Sequence, residues 1–518
     1  MIPLLSALLS LATIVPFPQD APAASAADLI LVGGHVVTVD AQTPEAEAIA
    51  IRGDRILAVG TSQAIRALAD EHTQVIDLAG RLAIPGFIDG HAHLKALGDT
   101  KQMLDLTHAT AWEDIEQQVA EAVAKTPKGQ WILGRGWHQE KWNSPPNSNV
   151  EGYPTHARLS ALSPDHPVIL IHASGHMCFA NAAAMRAAHV DADTASPEGG
   201  EILRNPDGTP CGAFREKAAG LIWDAYEAPA SGAEPESTQH AVHLAVQDCL
   251  SKGVTSFQDA GSSFETIAIL RDMAESGDLG IRLWVMVRDE PERMAKKLGA
   301  TKVTGAADGF FTVGGIKLIL DGALGSHGAW LLEPYSDLPE SSGLNTAPLE
   351  VARRYADLAI QYNMQLCVHA IGDRANREIL DVFEANFAKH PTKASRRWRV
   401  EHAQHIDPAD IPRFAELGVI ASMQGVHCTS DGVFVPERLG ETRSKNSAYV
   451  WRELLDSGAV VSNGTDAPVE DIDPIASFYA SVTRKMPNGK AFYPEHCMTR
   501  AEALKSYTLS CAYAAFEE

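Results

Sequence analysis

The sequence predicts an α/β protein, a (β/α)8 TIM-type barrel with a small β-domain before it and a long lid insertion after strand one. Three observations point there. Eight apolar or β-branched runs of strand length lie between residues 82 and 464, and helical patterns such as Ala375–Phe387 and Asp410–Leu417 separate many of them. Polar residues able to do chemistry then stand at the C-terminal ends of several runs, where such a barrel gathers its site.

Before the barrel, residues 27–84 carry short β-rich pieces, at 29–32, 35–39, 48–51, 55–59 and 74–78, divided by Gly and Asp turns. They read as a small β-domain. No closing strands follow the barrel before Glu518, so the domain is expected to keep an unpaired edge. The barrel itself spans 85–518, with strands expected at 82–88, 253–258, 281–287, 313–319, 365–369, 398–402, 418–423 and 459–464. The stretch from about 94 to 250 is too long for a simple crossover and holds strand-like runs of its own at 131–134 and 168–172, so it reads as an insertion over the mouth.

The first 26 residues are an apolar run, Pro and small residues, ending Ala24-Ser25-Ala26. They resemble a secretory leader cleaved after Ala26, although no Lys or Arg precedes the apolar run. A periplasmic or secreted protein is expected, with a cytoplasmic one as the alternative. No later run reaches the ~18 apolar residues of a membrane span. A net charge of −23 works against nucleic acid or anionic membrane as partner. Seven cysteines lie scattered without CxxC pairs, which excludes a zinc ribbon and leaves a bridge such as Cys178–Cys211 open.

The chemistry starts at Pro85-Gly-Phe-Ile-Asp-Gly-His-Ala-His93. Alternation along a strand points His91 and His93 to one side, where two imidazoles can hold a metal ion. Lys317 sits within an apolar strand, so it must lose its charge, find a partner or be modified. His369, His402 and Asp466 close three further strands. Each has a plainer reading, as a hydrogen-bonded strand-end histidine or an aspartate that starts a turn; together they converge on one mouth. In the lid, Trp137, His138, Trp142, His172 and His176 could shape a pocket or anchor the insertion.

The segments PGFIDGHAH, GGIKLILDGALGS, CVHAIGDRAN, RVEHAQHI and SNGTDAP, with GRGWHQEKW and SGHMCFAN in the lid, resemble the amidohydrolase superfamily. The branch they resemble is amidohydrolase family 3, which includes N-substituted formamide deformylases and related N-acyl hydrolases. The resemblance implies a hydrolase of a C–N, amide-type bond in a small-molecule substrate, with homo-oligomerisation left open. It implies two divalent metal ions, best suited to zinc: His91, His93 and Asp466 on one, His369 and His402 on the other, and Lys317 between them as a carbamate formed with carbon dioxide. A metal-bridging hydroxide would attack, and Asp466 would shuttle the proton. His176 and Trp137 would contact substrate. Two alternatives stand: a mononuclear zinc deaminase-like hydrolase with unmodified Lys317, and a non-catalytic barrel that only binds.

Overall fold

The structure, a computed structural model, describes residues 26–227, 235–392 and 395–518. All but the last residue of the expected leader lies outside the described residues. The chain divides into two units, one up to Pro85 and one from Gly86 to Glu518.

In the first unit a four-stranded sheet runs in the order Arg55–Gly60, Ala48–Arg52, Leu29–Val32, Gln74–Asp77. Alternation buries Ile30, Val32, Ala48 and Ala50 against Ile65 of the helix Ser62–Arg66. Thr61 starts that helix by accepting the Ala64 N–H at 3.2 Å. Three shorter strands, Glu45–Ala46, His35–Val37 and Leu82–Ala83, form a second sheet.

The second unit is a nearly closed barrel of eight parallel strands: Phe87–Ala92, Val254–Ser262, Arg282–Val287, Phe311–Ile319, Gln365–Ala370, Arg399–His402, Ile420–Gln424 and Val461–Gly464. The Asp466 N–H donates to His91 O at 2.7 Å and ties the eighth strand to the first. Asp89 reinforces that seam by accepting from Thr465 Oγ1 at 2.6 Å. The apolar run expected at 82–88 is two elements. Leu82–Ala83 pairs with His35–Val36, Pro85 cannot donate to a ladder, and the barrel strand begins only at Phe87. His91 therefore lies inside the first strand and His93 just past it. Gly90 lets the strand approach its neighbours, because a Cβ there would sit 2.7 Å from Asn463 O.

The helix expected at 375–387 spans Asp373–Lys389. The one expected at 410–417 spans Ile411–Leu417 and stops at Gly418, whose φ of +65° suits a left-handed cap. The insertion is built on a mixed six-stranded sheet, in the order Gly200–Arg204, Pro210–Glu216, Met177–Ala180, Val168–His172, Ile132–Trp137, Leu104–Asp105. Apolar clusters cover it, one around Trp137, Trp142 and Phe179 and the other around Phe214 and Ile222. All seven cysteines, Cys178 and Cys211 included, are free thiols. No helix among the described residues is long and apolar enough to cross a membrane.

Candidate active site

Strand ends bring His91, His93, Lys317, His369, His402 and Asp466 together. His91 is fully buried; its Nδ1 pairs with Glu401, leaving Nε2 3.5 Å from Lys317 Nζ and 3.5 Å from Asp466 Oδ1. Burial first, then the Lys317 charge, lower its pKa to about 4, so it is a neutral imidazole whose Nε2 faces the cluster. His93 precedes the helix Leu94–Thr100 and puts Nε2 3.2 Å from the same Asp466 oxygen.

Glu401 is itself held. Arg399 Nε lies 2.6 Å from Glu401 Oε1, both side chains wholly buried, and Arg399 also donates to Gly90 O and Gln258 Oε1 at 2.6 Å and to Ser422 Oγ at 2.8 Å. Burial pushes the Glu401 carboxyl up, but Arg399 and His91 outweigh it and hold it well below the usual range. An arginine thus fixes a carboxylate, and the carboxylate fixes which nitrogen of His91 faces inward. Glu401 and Arg399 were not singled out from the sequence, although two opposite charges in a four-residue buried strand are the signal that could have found them.

Lys317 is buried, and that burial lowers its pKa to about 8. His369 stands with its ring centroid 4.4 Å from that of His402 and 4.9 Å from that of His176. His402 Nδ1 bonds Gln424 Oε1 at 2.7 Å, which turns the other nitrogen toward the cluster. His402 and Asp466 adopt φ of +74° and +58°, a left-handed conformation that costs about 1 kcal/mol or more for residues with a Cβ and gathers at functional sites. Burial would raise the Asp466 carboxyl; the surrounding imidazoles hold it well below its ordinary value.

The residues fit a divalent ion. One nitrogen each from His91 and His402 and one oxygen of Asp466 lie within 4.8 Å of one another, all three buried. Among the described residues, Asp466 Oδ1 and His369 Nε2 are buried without a well-aligned hydrogen bond; their near neighbours are His93 Nε2 at 3.2 Å and Asp321 Oδ1 at 3.4 Å, and a cation could take their lone pairs. The donors are nitrogen and oxygen, suited to zinc among other divalent ions.

His176, Lys317, His369, His402 and Asp466 line a cavity of about 1160 Å³. His176 comes from the lid, its Nδ1 2.8 Å from Glu216 Oε2; burial works against its charge, but Glu216 outweighs that and raises its pKa. Trp137 does not face this space. It is fully buried in the lid core, where Nε1 donates to Leu170 O at 2.9 Å and the ring stacks on Trp142, so its surroundings are those of a packing anchor. Asp321, on the loop after Lys317, accepts backbone N–H groups of Trp330, Ile371 and Gly372 at 2.8 to 3.0 Å, and so ties that loop to the end of the fifth strand.

Comparison with known proteins adds to this geometry. The amidohydrolase family matches residues 74–518. The chain is 31% identical over 510 residues to Protein LONG AFTER FAR-RED 3 of Arabidopsis thaliana, covering 96% of this chain and 85% of that one. It is 27% identical to the N-substituted formamide deformylase of Arthrobacter pascens, covering 94% and 89%. Among solved structures, an uncharacterized metal-dependent hydrolase from Pyrococcus horikoshii OT3 superposes with a TM-score of 0.74 at 26% identity, covering 94% and 93%.

Proposed function

The chain belongs to the amidohydrolase family and is a hydrolase of C–N bonds, and from that premise we propose that it cleaves an amide-type bond at the barrel mouth with Asp466 as proton shuttle. What supports this reading is the ring of buried donors at the strand ends, in which one nitrogen each of His91 and His402 and one oxygen of Asp466 lie within 4.8 Å of one another. His91, His93, His369, His402 and Asp466 would hold the metal, with Lys317 adding an anionic group as its carbamate. When bound, zinc or a similar ion supplies Lewis acidity that polarises the scissile carbonyl and makes water acidic enough to attack near neutral pH.

The chain's own residues do the rest. Asp466, ionised by its imidazole surroundings, takes the proton of the attacking water on the carboxylate oxygen that the ion leaves free and delivers it to the leaving amine nitrogen. His176, steadied by Glu216, reaches the cavity as a donor to the oxyanion that develops on the carbonyl oxygen. Lys317, its pKa lowered to about 8, has a substantial neutral fraction at mildly alkaline pH, the form able to react with carbon dioxide. The Gln424 and Glu401 contacts fix the tautomers of His402 and His91.

A one-metal reading has its own support. Only His91, His402 and Asp466 form a tight group of possible ligand atoms among the described residues, which suits a single ion with an unmodified Lys317. Metal content per chain, with intact mass at Lys317 and turnover of a panel of formamides, N-acyl amines and cyclic imides, tests both. Two ions and a mass gain of one carbon dioxide support the binuclear form; one ion and a bare lysine support the other; no turnover with metal supplied would leave a barrel that only binds.

A further inference from the structure

The cavity at the mouth carries a charge that the reaction does not use. Arg288 follows the third barrel strand, Arg282–Val287, and its backbone N–H donates to Ser262 O at 2.9 Å, which fixes where its side chain begins. It lines the same cavity as Lys317, His369 and Asp466. Gly261 makes room for it: at φ +129°, a Cβ there would lie 3.1 Å from Arg288 Cβ, 3.3 Å from Arg288 Cδ and 3.2 Å from Lys317 Cγ. Arg288 and Lys317 therefore run side by side toward the site.

Among the described residues, no carboxylate pairs with this guanidinium; the titratable groups that bear on it are Tyr355, a neutral phenol, and Lys317, whose amine it disfavours in the charged form. The nearby acids are engaged elsewhere or open to water. Asp289 Oδ2 pairs with Arg293 at 2.8 Å, Glu216 with His176 at 2.8 Å, and Asp224 and Glu290 are exposed. Of the other two arginines of the cavity, Arg293 is paired with Asp289 and Glu265, and Arg135 has part of its head committed, with Nε donating to Pro468 O at 3.3 Å and one NH2 to Ala173 O at 3.2 Å. Arg288, a solvent-exposed residue of the cavity lining, is left with its donor fork uncommitted, and a planar fork of this kind matches a carboxylate bidentately.

We propose that Arg288 is a specificity-determining residue that binds a carboxylate on the substrate, so that the amides cleaved here are N-acylated amino acids or similar carboxylate-bearing amides. This rests on the hydrolase reading above. Because Arg288 runs beside Lys317, the carboxylate lies a few atoms from the scissile bond, as in an α- or β-amino acid.

The test uses the full metal-supplied chain with N-formylphenylalanine of both hands, its methyl ester and N-formylphenethylamine, which lacks the carboxyl group. The expected result is a preference for the acid of about 10- to 100-fold in kcat/KM, the range of one hydrogen-bonded charge. R288A should raise KM for the acid by a similar factor, leave kcat within about threefold, and leave the two uncharged compounds unchanged. R288K, which keeps the charge and loses the fork, should fall between. Equal losses on all compounds, or a loss of bound metal in R288A, would overturn the proposal and assign Arg288 to Lys317.

Binding separates this inference from the reading beneath it. If no amide turns over, calorimetric titration with hippurate, hippurate methyl ester and inorganic phosphate still decides. Hippurate bound in preference to its ester, and lost in R288A of unchanged melting temperature, supports the carboxylate site. Acid and ester bound alike, or phosphate bound more tightly, refutes it.

Discussion

At the barrel mouth four histidines crowd one carboxylate, whereas in the lid His138 and His172 pack ring to ring at 4.4 Å against Trp137. Burial is the first cause in both places: it lowers the pKa of His91 to about 4 and of His172 to about 3. What differs is what remains available. His172 spends both ring nitrogens, Nδ1 on Ser174 Oγ at 2.8 Å and Nε2 on Gln139 Oε1 at 3.0 Å. His91 spends one on Glu401 and turns the other to Lys317 and Asp466, each at 3.5 Å; His402 spends one on Gln424; among the described residues, His369 Nε2 and Asp466 Oδ1 make no well-aligned hydrogen bond. An open nitrogen alone does not mark a ligand, since His405 Nδ1 and His427 Nε2 are also without a hydrogen bond; what sets the mouth apart is that such nitrogens gather around one carboxylate.

The sharpest way to break this contrast is to remove one group on each side. Asp466→Asn keeps the shape but removes the proton acceptor and an anionic donor, so turnover of any responsive amide should fall by about 10³-fold or more. His172→Gln keeps polar contacts in the lid and should change turnover by less than about fivefold, in line with a residue outside the reacting set. Comparable losses in both variants would mean that nitrogens gathered around a carboxylate do not mark the site.

The next effect is smaller and acts one contact further out. Glu401→Gln keeps a hydrogen-bond acceptor for His91 but removes the negative charge that Arg399 holds in place, and metal affinity should weaken by about 10- to 100-fold, read by competition with a chelator. Leaving Arg399 buried without its anion should also cost about 3 kcal/mol or more of stability, so melting temperature is followed beside metal content. Unchanged affinity would show that the Arg399–Glu401 pair supports only the barrel.

Much of this was legible in the sequence, because strands advertise themselves by apolar runs and ligands by their place at strand ends. Seven of the eight barrel strands lie within a few residues of where the apolar runs put them. The first does not, since 82–88 is one hydrophobic run shared by two sheets, and only Pro85 marks the break. Glu401, Arg399, Gln424 and Glu216 were harder to see. They act through residues distant in the chain, so no local pattern names the partner that gives each a role. Trp137 shows the converse: a Trp in a Gly-rich lid segment looks like a pocket wall, and only packing reveals the sheet behind it.

The smallest expected effect tests the lid side through pH. The folded-state pKa of His172, about 3, lies below its ordinary value of 6.5, so between those limits the unfolded chain binds a proton there that the native chain refuses. The neutral imidazole therefore contributes stability that is fully present above pH 6.5 and is lost progressively as the pH falls toward 3. The melting temperature of the metal-free protein should drop as the pH is taken from 7 to 4, and His172→Gln, which has no proton to gain, should make that drop shallower. It should not abolish it, because His405, lowered to about 3, and His91, lowered to about 4, titrate in the same direction. An identical slope in the variant would mean that His172 is protonated without penalty, that its lid environment opens to water, and that the closed, fully bonded imidazole that separates the lid from the mouth is not its state in solution.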